Sequence, residues 1–183
     1  VTEDVGYSQQ QISSRETEIE KVAAVYGFTS FLQTNFVTTT LDTYSKSVLI
    51  REVSSYFSEV QPNIIYLPFR NDVHSDHAAV FDAVAACSKS FRYPYIRKVR
   101  AYETLSETEF SIRPDKAGFS PNLWIDISEY LDRKIEIMRM YEGEMGKHPF
   151  PRSEQNIRAL ASYRGAVAGV LAAEAFVSMK EIV

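Results

Sequence analysis

The chain has 183 residues, 45% hydrophobic and 13% aromatic, and carries a net charge of −4. That is apolar material enough for one domain, residues 1–183, around a sizeable core, and the acidic balance gives nucleic acid or an anionic membrane no electrostatic hold. The one cysteine, Cys87, excludes an internal disulfide and suits a reducing, cytoplasmic setting. The longest small-apolar run, 165–173, is far short of the roughly 20 residues that span a bilayer.

Residues 1–13 are polar and read as a loop. From Arg15 to Tyr26, Ile19, Val22, Ala23 and Tyr26 recur at helical spacing, with Ser13 or Ser14 as cap and Gly27 placed for a left-handed stop. Phe28–Val37, rich in aromatic and β-branched residues, predicts a strand. Tyr44–Val60 predicts a helix with Leu49, Val53 and Phe57 on one stripe. Asn63–Pro68 reads as a buried strand. A helix follows from near His74, then a strand over Arg97–Thr104. A loop containing Pro114, Gly118 and Pro121 precedes a helix from about Ser128 to Glu144. After the break at His148-Pro149-Phe150-Pro151, Ser153 caps a last helix expected to reach about Met179. Alternating strands and helices argue an α/β fold, Rossmann-like, with a mainly parallel sheet between helical layers. Between Gly27 and Gly118 there is no glycine, so no phosphate-cradling loop occurs there.

The chemistry concentrates in Leu67-Pro68-Phe69-Arg70-Asn71-Asp72-Val73-His74-Ser75-Asp76-His77, where a strand ends and a helix begins. In open α/β sheets that edge binds ligands. His74 and His77 are three apart, so on a helix they share one face. Asp76 has the chemistry to fix an imidazole tautomer. Equally, either histidine could cap the helix or sit in a satisfied polar cluster, and Arg70 and Asp72 could simply salt-bridge across the loop.

Pro68-x-x-x-Asp72-x-His74-Ser75-Asp76-His77 resembles the second signature of the LmbE/PIG-L zinc-dependent amino-sugar deacetylases. Other segments resemble the same family in order: Arg15-Glu16-Thr17-Glu18 with Gly27; Tyr102-Glu103, then Phe119-Ser120-Pro121-Asn122 and Asp126-Ile127-Ser128; Pro149-x-Pro151-Arg152-Ser153, then Tyr163-Arg164-Gly165 and Ala173-Glu174-Ala175-Phe176. The resemblance implies a hydrolase that removes acetyl from an N-acetylated amino sugar or its conjugate. It implies His77 as a Zn2+ ligand, His74 as the protonated group beside the oxyanion, and Asp76 as the carboxylate tuning those rings. Arg15 is implied near the substrate; Arg70, Asp72 and Arg152 are further candidates to hold it, arginine's fork suiting bidentate recognition.

The family's other two zinc ligands and its general base lie in a His-Pro-Asp-Asp segment after the first strand, and no such sequence occurs here. A catalytic zinc site takes three protein ligands plus water. The expectation is therefore that a first βα unit lies outside these residues, with Val1 continuing after a second strand, and that the 183 residues are inactive alone. The alternative is a sugar-binding or scaffolding relative without metal. A homo-oligomer stays open.

Overall fold

The computed structural model describes residues 6–112 and 115–183; Val1 and Pro114 lie outside them. The chain divides into two compact units. One combines the residues up to Thr38 with Trp124–Glu174, the other Thr39–Leu123 with Ala175–Val183.

The first unit is mainly helical: α1 (Gln9–Tyr26), α4 (Leu131–Met138) and α5 (Glu154–Ala168). Ser8, not Ser13 or Ser14, starts α1. Its hydroxyl accepts from the Gln11 amide while the Gln11 side chain returns a bond to the Ser8 amide, a reciprocal cap that carries the helix further back than apolar spacing shows. Gly27 ends it at φ 69°, as its position suggests. Asp126 holds Ser128 in a tight side-chain turn, so α4 starts later than expected. α5 is capped by the Ser153 hydroxyl, which accepts from the Asn156 amide. Ile127, Ala161 and Ala172 form this unit's buried cluster, joined by Ile125 and Leu131.

The second unit holds α2 (Lys46–Val60), β1 (Ile64–Pro68), α3 (Ser75–Ala86), β2 (Lys98–Tyr102) and most of β4 (Ala173–Glu181). β1 and β2 run parallel, with Leu67 opposite Ala101; β2 and β4 run antiparallel, with Ala101 opposite Val177. With β3 (Leu123–Asp126) the sheet order is β1-β2-β4-β3. The fold is thus mixed α/β with a four-stranded open sheet. Phe57, Ile65, Leu67, Val84, Cys87, Ile96, Val99 and Ala101 make the core, in which α3 packs on β1 and on α2.

Two further expectations about elements fail. Phe28–Val37 is irregular, and Phe28, Phe31 and Leu32 are exposed; strand propensity needs a neighbouring strand to pack against, and this segment has no place in the sheet. The last helix stops at Ala168 instead of reaching Met179. Gly169 takes φ 74°, and the amides of Gly169 and Val170 both bond to the Gly165 carbonyl. A Cβ on Gly165 would lie 2.7 Å from the Val170 carbonyl oxygen, so the reversal needs glycine there. Beyond it the chain is extended and supplies β4.

Candidate active site

β1 ends at Pro68, and its ladder continues one step, the Phe69 amide donating to the Tyr102 carbonyl. The chain then turns, the Asp72 amide bonding back to Phe69, and reaches α3. His74 is that helix's N-cap at φ −73°, ψ 122°. Its Nδ1 accepts from the Asp76 amide at 3.2 Å. The capping role raised by the sequence is therefore the one this bond shows.

Asp72 is the pivot. Its side chain is wholly withdrawn from solvent, and Oδ2 lies 2.7 Å from His77 Nδ1. An ionised carboxylate only accepts, so His77 donates from Nδ1, and in the neutral ring that leaves the lone pair on Nε2. The other carboxylate oxygen, Oδ1, accepts from the Thr108 hydroxyl at 2.7 Å. Burial and then the charge of Asp72 push the Tyr102 phenol above its ordinary pKa.

The two rings stack at 5.3 Å between centroids and 20° between planes. In the neutral rings their hydrogen bonds assign opposite tautomers. His77 offers an unprotonated Nε2, while His74, accepting at Nδ1, carries its proton at Nε2. The resemblance implies a doubly protonated His74; the capping bond is that of the singly protonated ring, because a protonated Nδ1 has no lone pair to give.

Asp76 has a different task from the one its place in the motif suggests. Its carboxylate accepts from the amides of Thr39, at 2.7 Å, and Leu41, at 3.0 Å. Thr39 stands at φ 65°, a conformation β-branched residues rarely take. Asp76 thus clamps a strained turn, and the carboxylate that meets an imidazole is Asp72. The spacing of the motif gave no sign of this, nor of Thr108, which sits far along the chain in a loop.

Arg70 donates from Nε and Nη2 to the two oxygens of Asp82, at 2.7 and 3.2 Å, and Lys46 reaches the same carboxylate at 2.9 Å. These contacts hold Asp82 well below the usual carboxylate range, at about 2, the Arg70 hydrogen bond leading. Arg70, Asp82, Asp72 and His74 border a cavity of ≈ 420 Å³ whose wall also includes Tyr44 and Leu49. Arg15 and Arg152 belong to the first unit and meet on one carboxylate: Arg15 Nη2 lies 2.5 Å and Arg152 Nη2 3.1 Å from Glu144. Glu18 below them is buried and accepts from the Glu142 amide.

Residues 2–88, which contain the whole Pro68–His77 segment, match the family described as PIG-L: GlcNAc-PI de-N-acetylase. Over that stretch the chain is similar to the PIG-L (LmbE-like) family. The fold agrees. A conserved protein from Thermus thermophilus superposes with a TM-score of 0.71 at 19% identity, covering 98% of this chain and 78% of that one. The N,N'-diacetylchitobiose deacetylase of Pyrococcus horikoshii gives 0.71 at 21% identity and covers 93% of this chain. This chain spans only 64% of that deacetylase's length. The 4-carboxy-2-hydroxymuconate hydratase GalB of Pseudomonas putida gives 0.69 at 16% identity over 97% of this chain and 76% of its own. A deacetylase and a hydratase on one fold mean that fold alone does not choose the reaction.

Among the described residues no group of three His, Cys, Asp or Glu side chains converges as a metal site. His77 by itself fits one zinc position: Nδ1 is tied to a buried carboxylate and Nε2 is bare, the usual support of a histidine ligand. Asp72 and Asp76 are already committed, to His77 and Thr108 and to backbone amides. The donor set present is one nitrogen, not three ligands.

Proposed function

We propose that these residues belong to a hydrolase that removes the acetyl group from an N-acetylated amino sugar or its conjugate. The observation that carries this reading is the stacked pair of imidazoles at the carboxyl edge of β1, one bonded through Nδ1 to a carboxylate and the other to a backbone amide, within the stretch that is PIG-L-like. Amide hydrolysis needs an electrophile-activating site and a donor for the oxyanion. His77 supplies a bare nitrogen for a metal, and His74 supplies an N–H beside it. Zinc, when bound, would polarise the acetamide carbonyl and lower the pKa of its water.

One ligand does not make a catalytic zinc site, so activity requires the His-Pro-Asp-Asp segment that the resemblance implies. The 183 residues alone are expected to bind zinc weakly. His74 would donate from Nε2 to the developing oxyanion, with Asp76 holding the turn at Thr39 that borders α3. Arg15, Arg70 and Arg152 are the candidates to meet the sugar, each already paired with a carboxylate: Arg70 with Asp82, Arg15 and Arg152 with Glu144. The reading is tested by incubating the protein at its natural length with zinc and a set of N-acetylated amino sugars. Equal amounts of acetate and free amine are expected. No acetate from any of them would reject it.

A further inference from the structure

Thr108 was not singled out by any motif, yet its hydroxyl is oriented from both sides. The oxygen accepts from the Thr104 amide at 2.8 Å, and the hydroxyl donates to Asp72 Oδ1 at 2.7 Å. A hydroxyl has one proton, and the acceptor bond from Thr104 turns that proton toward Asp72. The same loop grips the neighbouring backbone, because the Val73 amide donates to the Glu107 carbonyl at 3.1 Å. The loop itself is closed by the Glu107 and Thr108 amides on the Thr104 carbonyl. Asp72, with no exposed side-chain surface, therefore has its orientation fixed by the 104–108 turn before it meets His77.

We propose that Thr108 is a positioning residue: its hydroxyl fixes the orientation of the side chain at position 72, and that orientation decides which atom meets His77 Nδ1. This deepens the assignment of His77 as a ligand nitrogen and rests on it for its functional meaning. Because the Thr108 proton points at position 72, an acceptor oxygen is demanded on the Thr108 side whatever residue stands there. Asp satisfies both neighbours with its two oxygens. Asn cannot. In Asp72→Asn the amide oxygen stays on Thr108, and the Nδ2 group faces His77, forcing Nδ1 to accept and moving the ring proton to Nε2.

The experiment is nitrogen NMR of the 15N-histidine-labelled protein at its natural length, metal-free and at mildly alkaline pH. In the natural sequence His77 Nε2 is expected at the unprotonated, pyridine-type position. In Asp72→Asn it shifts to the protonated, pyrrole-type position. Removing the Thr108 hydroxyl as well, in Asp72→Asn/Thr108→Val, frees the amide to turn, and the pyridine-type signal regains intensity. Asp72→Asn/Thr108→Ser keeps the hydroxyl and stays reversed. Loss of packing alone would not restore a tautomer, so the double variant reports on the hydroxyl. A protonated Nε2 in the natural sequence, an unshifted signal in Asp72→Asn, or identical spectra for the Val and Ser doubles would each overturn the proposal. Acetate release does not enter the readout. A chain that is no deacetylase can still show the relay, and a deacetylase with a different relay sinks only this inference.

Discussion

Asp76 Oδ2 lies 2.7 Å from the amide of Thr39, a residue held at φ 65°. A β-branched residue there costs on the order of 1–3 kcal/mol and persists only where its surroundings hold it. The second bond, from the Leu41 amide, completes a concave seat of backbone N–H groups around the carboxylate. Asp76→Ala should destabilise the protein by about 2–3 kcal/mol, through the loss of two charge-assisted bonds. Thr39→Gly should stabilise it by about 1 kcal/mol, since glycine takes that conformation freely. Urea unfolding of the two variants checks both signs; a neutral Asp76→Ala would remove the clamp from the account.

The Asp82 carboxylate offers a test by pH. Its pKa is lowered to about 2 in the fold, first by the Arg70 hydrogen bond and then by Lys46. A depressed carboxylate pKa contributes stability that is present above the unfolded value of about 3.9 and lost as pH falls through the folded one. Stability should therefore drop between about pH 4 and pH 2, and Arg70→Ala should flatten that limb. Denaturation midpoints across the range measure it; an unchanged limb in Arg70→Ala would show that another group causes it.

How much of this was legible in the sequence follows from how local each cause is. The strand at Ile64–Pro68 and the helix after His74 showed in apolar runs and spacing, as did Gly27 and the Ser153 cap. β4 did not, because Gly165 and Gly169 end α5 through contacts made only when the chain folds back. The exposed aromatics at Phe28 and Phe31 look like a strand until one asks what they pair with. At the site the same limit holds. The two histidines were visible at their spacing, but which aspartate serves a ring depends on Thr39 and Thr108, distant in sequence and near in space.

Arg15 and Arg152 converge on Glu144 from opposite ends of the sequence. In an active protein, replacing either with Ala should raise KM more than it lowers kcat, as expected of a group that binds substrate without touching the reacting atoms. Steady-state kinetics across substrate concentration separates the two. If kcat falls and KM holds in both variants, neither arginine is a sugar contact.

The division of labour between the two histidines is tested most directly by measuring bound zinc and acetate release together, in the protein at its natural length. His77→Ala should lose both, since it removes a ligand nitrogen. His74→Asn keeps a good helix cap but lacks the ring N–H, so it should retain zinc while kcat falls roughly 10²–10³-fold, the loss typical of one oxyanion donor. Full zinc and full activity in His77→Ala, or loss of zinc in His74→Asn with its fold intact, would contradict the account.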